Sequence, residues 1–326
     1  MTVRLGVIGC GAVARRLHLP AFRAAGGEIV AFSSRSAASA QAAADEWGSG
    51  KVFGDWREML TLEDIDAVDI CTPNFLHAEM AIAAARAGKD TLVEKPIATT
   101  IDEADAMISA ARDAGTILMI AHNMRFAAPF VAVRNELEAG SVGDIVAVRA
   151  ALGNAGPQVW APEARWFYDR DLSGGGVLID LGIHVADLLR SIVGDEVSEV
   201  SAMLQAEAGG VEHAAQVIMR FAKGAIGSMH VSWNARPAPD YQLTIFGTEG
   251  TLHLDSATSP VLRSISGDAR VISILDPVPD LCAAFVKSVE TRSTPPVTGE
   301  DGRAALAIVA AAYRSADEKR TLLVAS

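Results

Sequence analysis

The chain has 326 residues, half of them hydrophobic, which is ample for two separate cores. Its formal net charge of −12 leaves no basic footprint for nucleic acid or an anionic membrane surface. Three scattered cysteines, no signal-peptide pattern and no apolar run of membrane-spanning length exclude a disulfide framework, structural zinc and a transmembrane role, and fit a cytoplasmic protein.

Arg4 to Ile8 reads as a short apolar strand, Gly9-Cys10-Gly11-Ala12-Val13-Ala14 as a GxGxxA loop, and Ala12 to Ala25 as a helix. Strand, glycine turn and helix together form the context of a dinucleotide fingerprint. Gly9 permits the tight turn, and Gly11 lets the backbone approach a pyrophosphate. Ala12 and Val13 open the helix whose free N–H groups and dipole stabilise that anion, and Ala14 takes the packing position. Further strands read at Glu28 to Ser33, Ala67 to Cys71, Thr91 to Glu94 and Thr116 to Ala121. Helices at Ser36 to Trp47, Asn74 to Ala87 and Ile101 to Ala114 alternate with them, which implies a parallel sheet. Ligands of such sheets sit beyond the carboxyl ends of the strands. Those ends carry Ser34-Arg35, Cys71-Thr72-Pro73-Asn74, Glu94-Lys95-Pro96 and His122-Asn123. The end of the second strand has no acid to accept from a ribose 2′-hydroxyl; Ser34 and Arg35 suit a 2′-phosphate instead. NADP is therefore expected over NAD, with use of both left open.

After Asn123 the pattern changes. Ile145 to Leu152, Val197 to Gln205, Ala214 to Phe221, Ile226 to Trp233 and Gln242 to Phe246 read as strands in series, which implies an antiparallel sheet. The division falls at 1–122 and 123–326, with the closing helix Glu300 to Ala316 free to pack back on the first domain. Within the second part, Gly174-Gly175-Gly176 precedes an apolar helix carrying Asp180, His184 and Asp187 on one face. The glycines would allow a sharp turn and close approach of another molecule. A buried polar stripe of this kind either pairs internally or lines a cavity. His184 suits a general acid or base, because imidazole titrates near neutral pH. Lys95, at a strand end, suits stabilisation of alkoxide charge.

These residues together resemble the family of glucose–fructose oxidoreductase, inositol dehydrogenase and rhizopine-catabolism proteins. The carriers are the GxGxxA loop, His18-Leu19-Pro20-Ala21, Cys71-Thr72-Pro73-Asn74 with His77, Glu94-Lys95-Pro96, and Gly174-Gly175-Gly176 followed by Asp180 and His184. The resemblance implies an α/β Rossmann domain plus an α+β domain with a large open, mostly antiparallel sheet. It implies pyridine-nucleotide redox chemistry on a sugar, polyol or related carbohydrate, and a homodimer or homotetramer built on the open sheet face. It implies Lys95, Asp180 and His184 as the catalytic set, with a cis Lys95–Pro96 bond compatible with the pattern. It sets Thr72 to Asn74 against the ribose groups, with Cys71, His77 and Glu94 in the same nucleotide set. Arg125, Trp160, Arg165 and Tyr168 lie in irregular segments, and at least one or two of them are expected to join Lys95, Asp180 and His184 around the substrate, since aromatic faces and guanidinium donors bind sugars. His213, His230 and His253 show no metal spacing, and no metal is expected. Two other readings stay open: a nucleotide-dependent glycosidase working by transient oxidation and elimination, and a nucleotide sensor without catalysis.

Overall fold

The computed structural model describes residues 2–236, 238, 240–256, 261–266, 268–273 and 280–325. Strands β1 (Arg4–Ile8), β2 (Glu28–Ser33), β3 (Lys51–Phe53), β4 (Ala67–Ile70), β5 (Asp90–Val93) and β6 (Leu118–Ile120) form one sheet in the order β3-β2-β1-β4-β5-β6. Every pairing in it is parallel. β4 and β5 are buried at every residue, as central strands covered on both faces must be. β3 and the helix Trp56–Leu60 went unread in the sequence, because three and five residues are too few to display a period. Gly9 adopts φ +95°, and a Cβ there would lie 2.4 Å from the Cys71 carbonyl oxygen, so only glycine lets the β1 end pass the β4 end. Helix Ile101–Ala114 begins with a reciprocal capping box between Thr100 and Glu103.

The chain divides into two compact units, Met1–His122 with Pro279–Arg303, and Asn123–Val278 with Ala304–Ser326. A single break at residue 122 therefore misplaces the segment 279–303. The helix Leu281–Thr291 packs its Phe285 ring edge-on against Phe22, 6.5 Å between centroids. Just beyond it, Arg292 pairs with the buried Asp90 carboxylate and donates to the Gly115 carbonyl at 2.8 Å. An apolar helix face and a buried carboxylate needing a cation tie this late segment to the first unit.

In the second unit, β7 (Ile145–Gly153), β8 (Val197–Ala206), β9 (Glu212–Phe221), β10 (Ile226–Ser232), β11 (Gln242–Gly247), β12 (Thr251–Leu254), β13 (Val261–Ser266), β14 (Asp268–Ser273) and β15 (Leu322–Leu323) make a nine-stranded sheet ordered β14-β13-β12-β11-β7-β10-β9-β8-β15. Only β7 and β10 run parallel. The buried side of the sheet presents Val148, Ala150, Val217, Met219, Met229, Leu243 and Ile245. Segment Leu178–Val193 packs against β7, β9 and β10. The opposite side leaves Met203, Ile218, Ile226 and Phe246 exposed.

The three glycines before that segment serve the chain itself. A Cβ on Gly175, at φ +154°, would meet the Tyr313 hydroxyl at 2.0 Å, and one on Gly176 the Glu212 carbonyl at 2.2 Å. Close approach was expected from another molecule; it comes from Tyr313 and Glu212. The buried Glu212 carboxylate accepts from the N–H groups of Gly176 (3.0 Å) and Leu178 (2.9 Å) and from the Tyr313 hydroxyl (2.7 Å). It satisfies N–H groups that a helix start otherwise leaves without partners.

Candidate active site

In the first unit the carboxyl ends of the parallel strands carry the expected polar set. Gly11 is exposed, and a Cβ built there would meet no atom within 4 Å. The space a pyrophosphate requires over the loop is thus kept clear of the chain's own atoms, and Ala12 and Val13 remain partly exposed at the helix start. Ser34 is partly exposed and Arg35 exposed just beyond β2, with no carboxylate at either position. Cys71, Thr72, Pro73, Glu94 and Lys95 keep partial exposure, while Asn74 is buried. The donors and the cleared backbone fit a dinucleotide.

His77 is fully buried, and its ring nitrogens lie 2.8 Å from the Pro96 carbonyl oxygen and 2.9 Å from that of Thr72. Burial pushes its imidazole below the usual range, while the two carbonyl contacts oppose that shift. It clasps the loops after β4 and β5 to each other, instead of presenting a nitrogen to a ligand. The Lys95–Pro96 peptide is cis. Glu94 turns its carboxylate inward: one oxygen lies 3.0 Å from His18 Nε2, and the other accepts from the Lys95 backbone N–H at 3.0 Å. His18, at the end of a wide π-type turn (Ala14–His18), also meets the buried Asp69 through Nδ1 at 2.9 Å and Cys71 Sγ at 3.3 Å. His18, Asp69 and Cys71 are the one group of metal-ligating type among the described residues, and their contacts are hydrogen bonds to one another.

In the second unit the polar stripe splits. The helix opens into a π-type turn over Leu178–Gly182, then runs as Ile183–Val193. Asp180 is buried and accepts from the Trp233 indole N–H at 3.1 Å. Asp187 is buried in a two-pronged ion pair with Arg125, at 2.8 and 2.5 Å. Arg125 thus commits two guanidinium nitrogens to holding Asn123–Phe126 onto this helix. From Gly175 to Leu189 every residue is buried except His184, which is partly exposed. Of the other expected substrate residues, Arg165 is exposed, and Trp160 packs edge-on to Phe167 at 5.1 Å. Trp233 has only a place at a strand end in the sequence, with no sign there of its contact to Asp180. It touches Asp180, Tyr168 (5.8 Å between rings) and His213 (6.1 Å). Its position one residue past a strand carried no signal for that role.

Over 96% of its length the chain is 35% identical to 1,5-anhydro-D-fructose reductase of Ensifer adhaerens, covering 96% of that protein. Residues 3–122 match the family model of the oxidoreductase family with NAD-binding Rossmann fold, and residues 130–253 that of the GFO/IDH/MocA C-terminal domain. The chain belongs to the Gfo/Idh/MocA oxidoreductase family. As a Gfo/Idh/MocA protein it is an NAD(P)-dependent dehydrogenase or reductase. Among other relatives, D-xylose 1-dehydrogenase (NADP(+)) 2 of Haloferax volcanii is 30% identical over 96% of the chain and 97% of that protein. The structure of levoglucosan dehydrogenase in complex with NADH and levoglucosan superposes with a TM-score of 0.90 at 28% identity, covering all of both chains. This superposition spans the segments of both sheets described above. Among the described residues no helix is long and apolar enough to cross a membrane.

Proposed function

We propose that this chain exchanges hydride between nicotinamide C4 and a secondary alcohol or carbonyl carbon of a sugar, polyol or related carbohydrate, with NADP preferred over NAD. The observation that carries the reading is the isolation of His184 as the one partly exposed residue in a buried segment that also holds Asp180. The nucleotide, when bound, supplies the hydride donor or acceptor. His184 takes the hydroxyl proton in oxidation and returns it in reduction. Asp180, held by the Trp233 indole, orients the imidazole or binds a neighbouring hydroxyl. The Lys95 ammonium donates to the reacting oxygen and stabilises alkoxide charge. The nucleotide rests on Gly9, Gly11, Ala12 and Val13, on Ser34 and Arg35, and on the Cys71–Asn74 loop. Sugar-handling names among the relatives support the substrate class.

A spectrophotometric panel tests this. Purified protein with NADP or NAD is offered D-xylose, D-glucose, myo-inositol and levoglucosan, and reduced-nicotinamide absorbance is followed. Turnover with at least one is expected. Glycoside cleavage without net absorbance change would favour the oxidation–elimination reading, and neither event would favour a sensor.

The cofactor preference rests on Arg35. A charge-assisted bond to a 2′-phosphate contributes about 1.5–3 kcal/mol, roughly ten- to a hundredfold in affinity. Arg35→Ala should raise the NADP dissociation constant by about that factor while leaving NAD binding unchanged. An unaltered NADP preference in the variant removes Arg35 from the assignment. Relatives named for NADP(+) and solved with NADH show that either nucleotide is used within the family. The exposed apolar side chains Met203, Ile218, Ile226 and Phe246 on the open sheet side support assembly as a homodimer or homotetramer through that face. The three free cysteines support a cytoplasmic location.

A further inference from the structure

Asp69 is a carboxylate with no solvent exposure, set in a central strand otherwise built of Ala67, Val68 and Ile70. An apolar side chain would fill that place at no cost in desolvation. Asp69 instead meets His18 Nδ1 at 2.9 and 3.1 Å through its two oxygens. The other ring nitrogen, Nε2, lies 3.0 Å from a Glu94 oxygen. Ionised carboxylates only accept, so a ring held between two of them must donate from both nitrogens. The imidazole is therefore protonated. The remaining Glu94 oxygen accepts from the backbone N–H of Lys95 at 3.0 Å. The helix widens into its π-type turn at Ala14–His18, where the Leu19 N–H reaches back five residues to the Ala14 carbonyl, and such turns recur at functional sites.

We propose that Asp69, His18 and Glu94 form a positioning device, in which an imidazolium clamped between two carboxylates fixes Glu94 against the Lys95 backbone and so aims the lysine. The proposal rests on the role given to Lys95 above. His18 and Asp69 are positioning residues that act through Glu94.

The titratable groups facing His18 are Asp69 from β4 and Cys71 just after it, Glu94 with Lys95 after β5, and Cys282 from the helix Leu281–Thr291, whose thiol lies 3.9 Å from the His18 carbonyl. Burial pushes both thiols well above their usual range, so they are neutral. Burial would by itself lower His18, but the Asp69 carboxylate and its hydrogen bond to the ring outweigh it and hold the ring well above its ordinary value. Glu94 is disfavoured as an anion by burial, yet its bond to His18 and the nearby Lys95 charge bring it below its usual value. The sign follows. With His18 raised, the clamp is intact below the ordinary histidine value and is lost as pH rises through the folded-state value. With Glu94 lowered, it is intact above the ordinary glutamate value and fails as pH falls through the folded-state value.

Three measurements on the full chain test this. In nucleotide-free wild type at pH 8, nitrogen NMR should show both His18 ring nitrogens protonated; a neutral tautomer overturns the proposal. In His18→Gln the Lys95 amide should exchange with solvent faster than in wild type; unchanged exchange overturns it. With saturating NADP and the best-turned-over sugar of the panel, His18→Gln should lower kcat by roughly ten- to a hundredfold with little change in the NADP dissociation constant. Asp69→Asn should introduce a fall in kcat as pH rises through neutrality, absent from wild type, because the ring then loses its proton there. A merely structural role predicts a lower melting temperature with kcat per folded molecule and pH profile unchanged, and that result overturns the device. Should Lys95→Ala remain active while Lys95 amide protection still depends on His18, the lysine reading fails and the clamp stands. Should Lys95→Ala be inactive while His18→Gln affects neither amide nor kcat, the clamp alone fails.

Discussion

His184→Ala is expected to cut turnover by roughly 10²–10⁴-fold, the usual worth of a positioned acid or base, while leaving nucleotide affinity nearly intact. His184 stands out because the chain around it is closed. Every neighbour from Gly175 to Leu189 is buried, and the flanking acids are engaged elsewhere, Asp180 with the Trp233 indole and Asp187 with Arg125. An imidazole left partly exposed in that setting is the group that can both reach a ligand and exchange a proton. Lys95→Ala should cost as much or more, because it removes a fixed positive charge where alkoxide charge develops. Stopped assays at saturating NADP and sugar, together with nucleotide titration of each variant, separate the two effects. Full turnover in either variant removes that residue from the mechanism. If kcat holds and only KM rises, the residue binds substrate without taking part in the chemical step.

A second large effect is expected away from the chemistry. Asp187→Ala should destabilise the fold by about 3–5 kcal/mol, because it strands a buried guanidinium without its carboxylate. The pair is almost wholly enclosed, Arg125 at 11% and Asp187 at 1% side-chain exposure, and both prongs are short. Arg125→Ala strands the carboxylate instead and should cost a similar amount. Removing both charges together, as Arg125→Met with Asp187→Leu, should recover most of the loss, since a buried ion pair replaced by apolar groups of similar volume is often neutral or stabilising. Urea unfolding of the three variants measures this. A single-variant loss below about 1 kcal/mol, the range of an exposed pair, would show that water reaches the site.

Much of this molecule is written locally and was readable before any coordinates. The order strand, glycine turn, helix depends on residues within a dozen positions, so β1, the Gly9–Gly11 loop and the following helix fall where expected. The same holds for Glu94-Lys95-Pro96 at a strand end and for Asp180 and His184 one turn apart, since strand ends and helix registers follow from short-range spacing. The alternation of strands and helices specified the parallel sheet, and the later run of strands specified the second, mostly antiparallel one.

What each buried charge touches was not readable, because its partner lies far along the chain. Asp69 finds His18 51 residues away, Asp180 finds Trp233 at 53, Asp187 finds Arg125 at 62, and the Gly176 amide finds Glu212 at 36. Those choices pair Arg125 with Asp187 and leave His184 partly exposed, and they make Gly175 and Gly176 a seat for Tyr313 and Glu212. Spacing along the chain sets which residues can share a strand end or a helix face; packing in three dimensions sets which of them must neutralise one another, since a desolvated charge takes whatever partner the fold brings within hydrogen-bond reach.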